Sequence, residues 1–163
     1  MITFGSSNSI MTSTFNPANP TIFIIHGFFD TGDEGWLRRM SESILKLQPS
    51  NVIRVDWHEA SRTIKYGQAA TDIQVVAASI ACLLDNLMEQ KPFKVSDLTC
   101  VGHSLGAQTC GYVGQNILKR FGEKLPIIHG LDPAEPYFKV RIPSFIWICS
   151  RYPFLNNNFQ EIY

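Results

Sequence analysis

Gly102-His103-Ser104-Leu105-Gly106 sets a serine between two glycines, each two positions away. The apolar run Leu98-Thr99-Cys100-Val101 precedes it and a helix-like stretch opens after it at Ala107-Gln108. Strand, G-x-S-x-G turn and helix, in that order, are what a nucleophile elbow requires, because the serine hydroxyl must stand free at the apex of a sharp turn. The glycines let strand and helix close around that apex. Acyl transfer by an activated serine also needs a base, a group that orients the base, and N–H donors for the oxyanion. Ser104 is the candidate nucleophile; the plain alternative is a serine that merely makes a tight turn. The N–H of Leu105, directly after it, is one candidate oxyanion donor. Phe28 N–H is the second, in the loop Ile25-His26-Gly27-Phe28, where Gly27 lets backbone approach a substrate oxygen. His26 is read as fixing that loop by hydrogen bonding, not as the base.

Asp132, in Leu131-Asp132-Pro133, is the candidate acid, at the strand ends where catalytic groups collect in open α/β sheets. Its alternative is a turn-forming Asp-Pro. Serine followed by aspartate matches a chain order in which histidine comes last. Yet His26, His58, His103 and His129 all precede Asp132. His103 adjoins Ser104 and should turn away from it, His58 follows a different strand, and His129 lies within one. The triad as written lacks its imidazole, so the chain alone is expected to show little or no turnover.

These groups must be positioned by alternating strands and helices. Thr21–Ile25 is a continuous apolar run of the kind buried on both faces of a parallel sheet. Trp36, Met40, Ile44 and Leu47 recur at helical spacing before Pro49, predicting a helix over about residues 36–48. Asn51–Val55 is a second strand. Ile73, Val76, Ile80, Leu83 or Leu84, and Leu87 mark a long amphipathic helix over about 69–90, stopped before Pro92. The elbow strand follows, then a helix over about 106–120 carrying Ala107, Cys110, Gly114, Ile117 and Phe121 on one face. Pro126–Leu131 is a fourth strand. This alternation predicts an α/β fold, a mostly parallel sheet covered on both sides.

Composition narrows the function. Fourteen basic residues balance fourteen acidic ones, which gives no electrostatic case for nucleic acid. Cys82, Cys100, Cys110 and Cys149 have no metal-site spacing; Cys100 and Cys110 flank the elbow and read as buried thiols or disulfide partners. No transmembrane run of about 18 apolar residues is present. Residues 1–8 have neither the basic nor the apolar region of a signal peptide. Residues 1–20, uncharged and rich in Ser, Thr and Asn, read as an edge strand or loop.

Four ordered segments carry a resemblance: residues 20–28, with His26-Gly27-Phe28; residues 51–57, ending Asp56-Trp57; residues 101–107 around Ser104; and Gly130-Leu131-Asp132-Pro133-Ala134-Glu135-Pro136. Together they resemble the animal lipase family, which includes pancreatic lipase and the arthropod phospholipase A1 enzymes, the insect phospholipase A1-like members most of all. The resemblance covers roughly residues 20–139. It implies an α/β-hydrolase fold, Ser104 as nucleophile, Asp132 as triad acid, and Phe28 and Leu105 as oxyanion donors. It also implies secretion, no catalytic cofactor or metal, and a glycerolipid or phospholipid substrate met at an interface by a monomer. In that family the histidine lies well past the Gly-Leu-Asp-Pro segment, beyond a lid that separates phospholipid from triglyceride preference. The chain therefore reads as a truncated fragment with its lipase domain at 21–139. A catalytically silent lipid-binding protein is the alternative, and a cytosolic serine hydrolase with an unusual base a remote third. Residues 140–163 shift in composition, with Phe145, Trp147, Tyr152, Phe154, Phe159 and Tyr163 and no clear period. Lys139-Val140-Arg141 can be encoded by AAG-GTA-AGN, the form of a splice donor. That tail is either translated intron, exposing Phe145, Ile146 and Trp147 as an apolar patch, or a genuine divergent terminus.

Overall fold

The computed structural model describes residues 7–138 and 147–149. Five parallel strands form one sheet in the order β2-β1-β3-β4-β5: β1 (Thr21–Ile25), β2 (Asn51–Val55), β3 (Leu98–His103), β4 (Ile127–Leu131) and β5 (Trp147–Cys149). Helices α2 (Gly35–Leu47), α4 (Tyr66–Gln90) and α5 (Leu105–Phe121) connect them, with short α1 (Ser7–Met11) and α3 (His58–Ser61) between. The predicted helices and strands are all present, within a few residues at each end.

All five residues of β1 are buried, which a central parallel strand covered on both faces requires. Period-two alternation divides them. Phe23 and Ile25 join the large core with Ile73, Leu84 and Leu87 of α4 and Val113 of α5. Ile22 and Ile24 pack with Leu37 of α2 and Val101 on the opposite face. Helix α4 is long and apolar enough, by length and composition, to cross a membrane. Here its buried face, Ile73, Ala77, Ile80, Leu84 and Leu87, is the core between α5 and the sheet.

Three expectations need amending. Residues 7–11 form a helix, where an edge strand or loop was expected. Five residues hold a helix poorly by propensity alone, so tertiary packing supports it: Ile10 is buried in the main core and Ser13 hydroxyl bonds back to the Ile10 carbonyl. In α2 the fully buried residue is Leu37, while Trp36, Met40 and Ile44 are half-buried and Leu47 is exposed. That helix lies on the thin side of the sheet, where a narrower stripe suffices. Trp147–Cys149 forms a short strand paired with Ile128–Gly130, so part of the tail beyond residue 140 has a place in the sheet. The rest of that tail, with Phe145 and Ile146, lies outside the described residues.

Cys100 of β3 and Cys110 of α5 form a disulfide, and Cys82 is free. The bridge ties the strand before the elbow to the helix after it.

His129 on β4 is buried, and its Nε2 meets no hydrogen-bond partner among the described residues. Burial holds its pKa below the ordinary 6.5. The unfolded chain therefore takes up a proton below about pH 6.5 that the folded chain resists, so stability falls as pH drops through that value and is unaffected above it. Denaturant melts at pH 7.5 and 5.5 should differ by up to about 1.4 kcal/mol from this group. His129→Leu should remove that part of the difference, and an unchanged pH dependence in the variant would show that another group carries it.

Candidate active site

Chain order and sheet order part company at β1. The chain runs from β1 outward to β2, then returns to lay β3 on the other side of β1. Ligands in open α/β sheets bind where that reversal opens a crevice at the carboxyl ends of the strands. Ser104 leaves β3 and His26-Gly27-Phe28 leaves β1 at that edge, with Asp56 after β2 and Asp132 after β4 as flankers.

Ser104 sits between β3 and α5 with φ 54° and ψ −118°, a backbone region that non-glycine residues rarely adopt. Such an observed outlier is the kind of strain that marks functional sites. It is sustained by closeness. A Cβ at Gly102 would overlap the Gly106 carbonyl and lie 2.5 Å from Ala107 N; one at Gly106 would overlap the Ile25 carbonyl and lie 2.6 Å from the His26 carbonyl oxygen. The two elbow glycines thus let α5 press on β3 and β1 at once. A Cβ at Gly27 would lie 3.0 Å from Ser104 Cβ, which sets the loop after β1 directly beside the serine.

The N–H groups of Phe28 and Leu105 have no hydrogen-bond partner among the described residues. Leu105 opens α5, where first-turn amides lack intrahelical acceptors and the helix dipole is positive. The loop bearing Phe28 is clamped from below. His26 Nδ1 meets its neighbour Gly27 carbonyl at 2.9 Å, and its Nε2 accepts Trp57 N–H at 3.1 Å. Trp57 Nε1 donates to the His26 carbonyl at 2.9 Å and the two rings stack at 5.4 Å. His26 is wholly buried and fixes the loop, as its reading from sequence had it.

Asp56 is the second clamp. One carboxylate oxygen accepts Gly32 N–H at 3.0 Å, His58 N–H at 3.2 Å and His58 Nδ1 at 3.0 Å. Burial pushes this carboxyl up, but the hydrogen bonds from Gly32 and His58 outweigh it and hold the pKa below the ordinary 3.8. His58 is thereby engaged away from Ser104. The His103 ring packs edge-on to Trp36 at 5.7 Å, with Nδ1 3.7 Å from Asp30 Oδ2. None of the chain's four imidazoles hydrogen-bonds the Ser104 hydroxyl.

On the other flank, the Asp132 loop is laced to the elbow. Ser104 N–H donates to the Leu131 carbonyl at 3.0 Å, Ala134 N–H donates to the Ser104 carbonyl at 3.3 Å, and Gln108 Nε2 donates to the Ala134 carbonyl at 2.7 Å. Asp132 itself has φ 42°, a second left-handed residue at the same edge. Sequence reasoning missed Gln108 and Trp57. A polar residue on the buried stripe of α5 was the available signal for the first, and an aromatic after a strand end for the second.

An aromatic wall borders the crevice. Phe28 meets Phe29 at 4.6 Å and Tyr66 at 5.0 Å, and Tyr66 meets Tyr137 at 6.0 Å. Three or more His, Cys, Asp or Glu side chains placed to hold a metal ion do not occur among the described residues.

The model of the family described as Lipase matches residues 1–144. Pancreatic triacylglycerol lipase of Cavia porcellus is 41% identical over 133 residues, covering 82% of this chain and 28% of that protein. Pancreatic lipase-related protein 2 of the same animal is 40% identical over 139 residues, 85% of this chain and 31% of that protein. The chain thus spans under a third of the length of the curated relatives it matches. A solved structure described as a hydrolase of the alpha/beta superfamily from Xanthomonas campestris is similar in fold, with TM-score 0.50 and 18% identity over 71% of this chain and 59% of that one.

Proposed function

This chain belongs to the lipase family, and from that premise we propose that it is the nucleophile-bearing part of a carboxylic ester hydrolase acting on glycerolipids, of the phospholipase A1 or triacylglycerol lipase type. The observation that carries the reading is Ser104: a serine held at φ 54° on a strand-to-helix turn, beside two unengaged N–H groups. As an imidazole takes the hydroxyl proton, Ser104 Oγ attacks the ester carbonyl, and the carbonyl oxygen, now negative, receives Leu105 and Phe28 N–H. Collapse expels the glycerol alcohol, which takes that proton from the imidazolium, and leaves an acyl-serine; water, deprotonated by the same imidazole, hydrolyses it. Asp132 serves as the acid that orients an imidazole and stabilises it when charged. His26 and Trp57 are positioning residues, since they hold Phe28 through the loop backbone. The Cys100–Cys110 disulfide favours an oxidising compartment and so supports secretion.

A second reading has one observation in its favour. With His26 and His58 tied to the loop clamps, His103 beside Trp36 and His129 buried in β4, no imidazole among the described residues hydrogen-bonds the Ser104 hydroxyl. On its own the chain would bind glycerolipid without turning it over.

A long-chain alkyl fluorophosphonate, followed by peptide mapping, tests the nucleophile. Prolonged incubation with added imidazole as the base should place one adduct on Ser104, and Ser104→Ala should carry none. Labelling spread over other serines, or sparing Ser104, would remove the assignment.

A further inference from the structure

Among the described residues, two of the four non-glycine residues with positive φ hold exposed aromatic rings at the rim of the crevice: Phe29 at φ 65° and 55% exposure, Tyr137 at φ 73° and 74%. Strained backbone that presents apolar rings to water is opposed by both conformation and solvation. Ile64, 95% exposed, stands between Arg62 and Lys65 in the turn that joins α3 to α4. Phe29 N–H reaches the Ser61 carbonyl at 3.4 Å, so the two loops lie side by side, and Tyr66 just after the turn joins the aromatic wall. The apolar tips thus stand on adjoining loops.

On the loops beside it Asp33 is paired with Arg38 and Arg54, and Asp56 and Glu59 lie within hydrogen-bonding reach of the His58 ring. The exposed side chains of Arg62 and Lys65, on either side of Ile64, have no ion pair or hydrogen bond among the described residues. An apolar tip between two unpaired cations matches a surface with an apolar interior and an anionic face.

We propose that the Arg62–Lys65 turn, with Phe29 and Tyr137, is an anchor for anionic lipid surfaces: Ile64 and the two rings enter the acyl boundary while Arg62 and Lys65 meet the headgroup charge. This orients the Ser104 crevice toward the membrane. The inference rests on the glycerolipid reading above for its choice of partner but makes no use of Ser104 chemistry.

The test is co-sedimentation of the full 163-residue chain with large unilamellar vesicles of phosphatidylcholine containing 30% phosphatidylglycerol, against phosphatidylcholine alone. Binding should favour the anionic vesicles and weaken in 0.5 M salt. Removing each cation should weaken binding roughly fivefold, so Arg62→Ala/Lys65→Ala together should lose about thirtyfold. Ile64→Asp should abolish binding and Ile64→Phe strengthen it; at this exposure neither change disturbs the core. Ser104→Ala should bind as the parent does, so a failed serine assignment leaves this readout intact. Equal binding to neutral vesicles would overturn the proposal. So would parental binding by the double variant, or displacement from vesicles by an equal charge of poly-glutamate, which would assign the turn to an acidic protein partner.

Discussion

Gly106→Ala should cost about 3 kcal/mol or more, the upper end of what overpacking costs, and leave much of the chain unfolded at 37 °C. The added methyl would overlap the Ile25 carbonyl and lie 2.6 Å from the His26 carbonyl oxygen. Both obstacles are backbone of a central strand and its exit, so no rotamer change relieves them. Helix α5 would have to lift from β1, losing the contacts of Cys110, Val113 and Ile117 with the sheet. Gly122→Ala isolates the other cost of replacing a glycine. That residue caps α5 at φ 70° with nothing within 4 Å of a new Cβ, so only left-handed strain opposes the change, about 1 kcal/mol. Urea melts of the two variants should differ by about 2 kcal/mol or more. Similar losses would mean that the elbow is not closed as tightly as its geometry indicates.

That pair of glycines also explains how much of the molecule could be read in advance. The elbow was legible because its constraint is local: a tight turn between strand and helix needs glycine at fixed offsets from serine, and the motif records that need. Strand β1 was legible for a similar reason, since a parallel strand buried on both faces must be continuously apolar, and β2 to β4 by short apolar runs set between helical segments. What escaped was whatever depends on residues far apart in the chain. Helix α1 exists because Ile10 finds the core beneath α4, and nothing in Ser-Asn-Ser-Ile-Met announces it. The clamp on the loop after β1 joins His26 to Trp57 across 31 positions, and Gln108 reaches Ala134 across 26. Leu47 misled because it continues the helical period past the point where the sheet still covers α2.

The long-range arrangement makes a catalytic prediction that the motif alone does not. Loss of a triad histidine costs about 10⁶ in kcat in a serine protease, and removing the serine as well costs almost nothing further. On short-chain esters this chain and its Ser104→Ala variant should therefore be nearly equal, and slow, because no imidazole among the described residues hydrogen-bonds the Ser104 hydroxyl. Free imidazole should separate them. A positioned general base contributes about 10²–10⁴, and a diffusing one should recover part of that, roughly tenfold to a hundredfold above the solution reaction of imidazole itself. The gain should saturate with imidazole concentration, be absent in Ser104→Ala, and fall in Asp132→Asn if Asp132 orients the added ring. It should rise from pH 6 to 8 as the neutral, proton-accepting form of imidazole accumulates. Robust Ser104-dependent hydrolysis without imidazole would place a working base among the four histidines. A gain identical in parent and Ser104→Ala would leave Ser104 with only its turn to make.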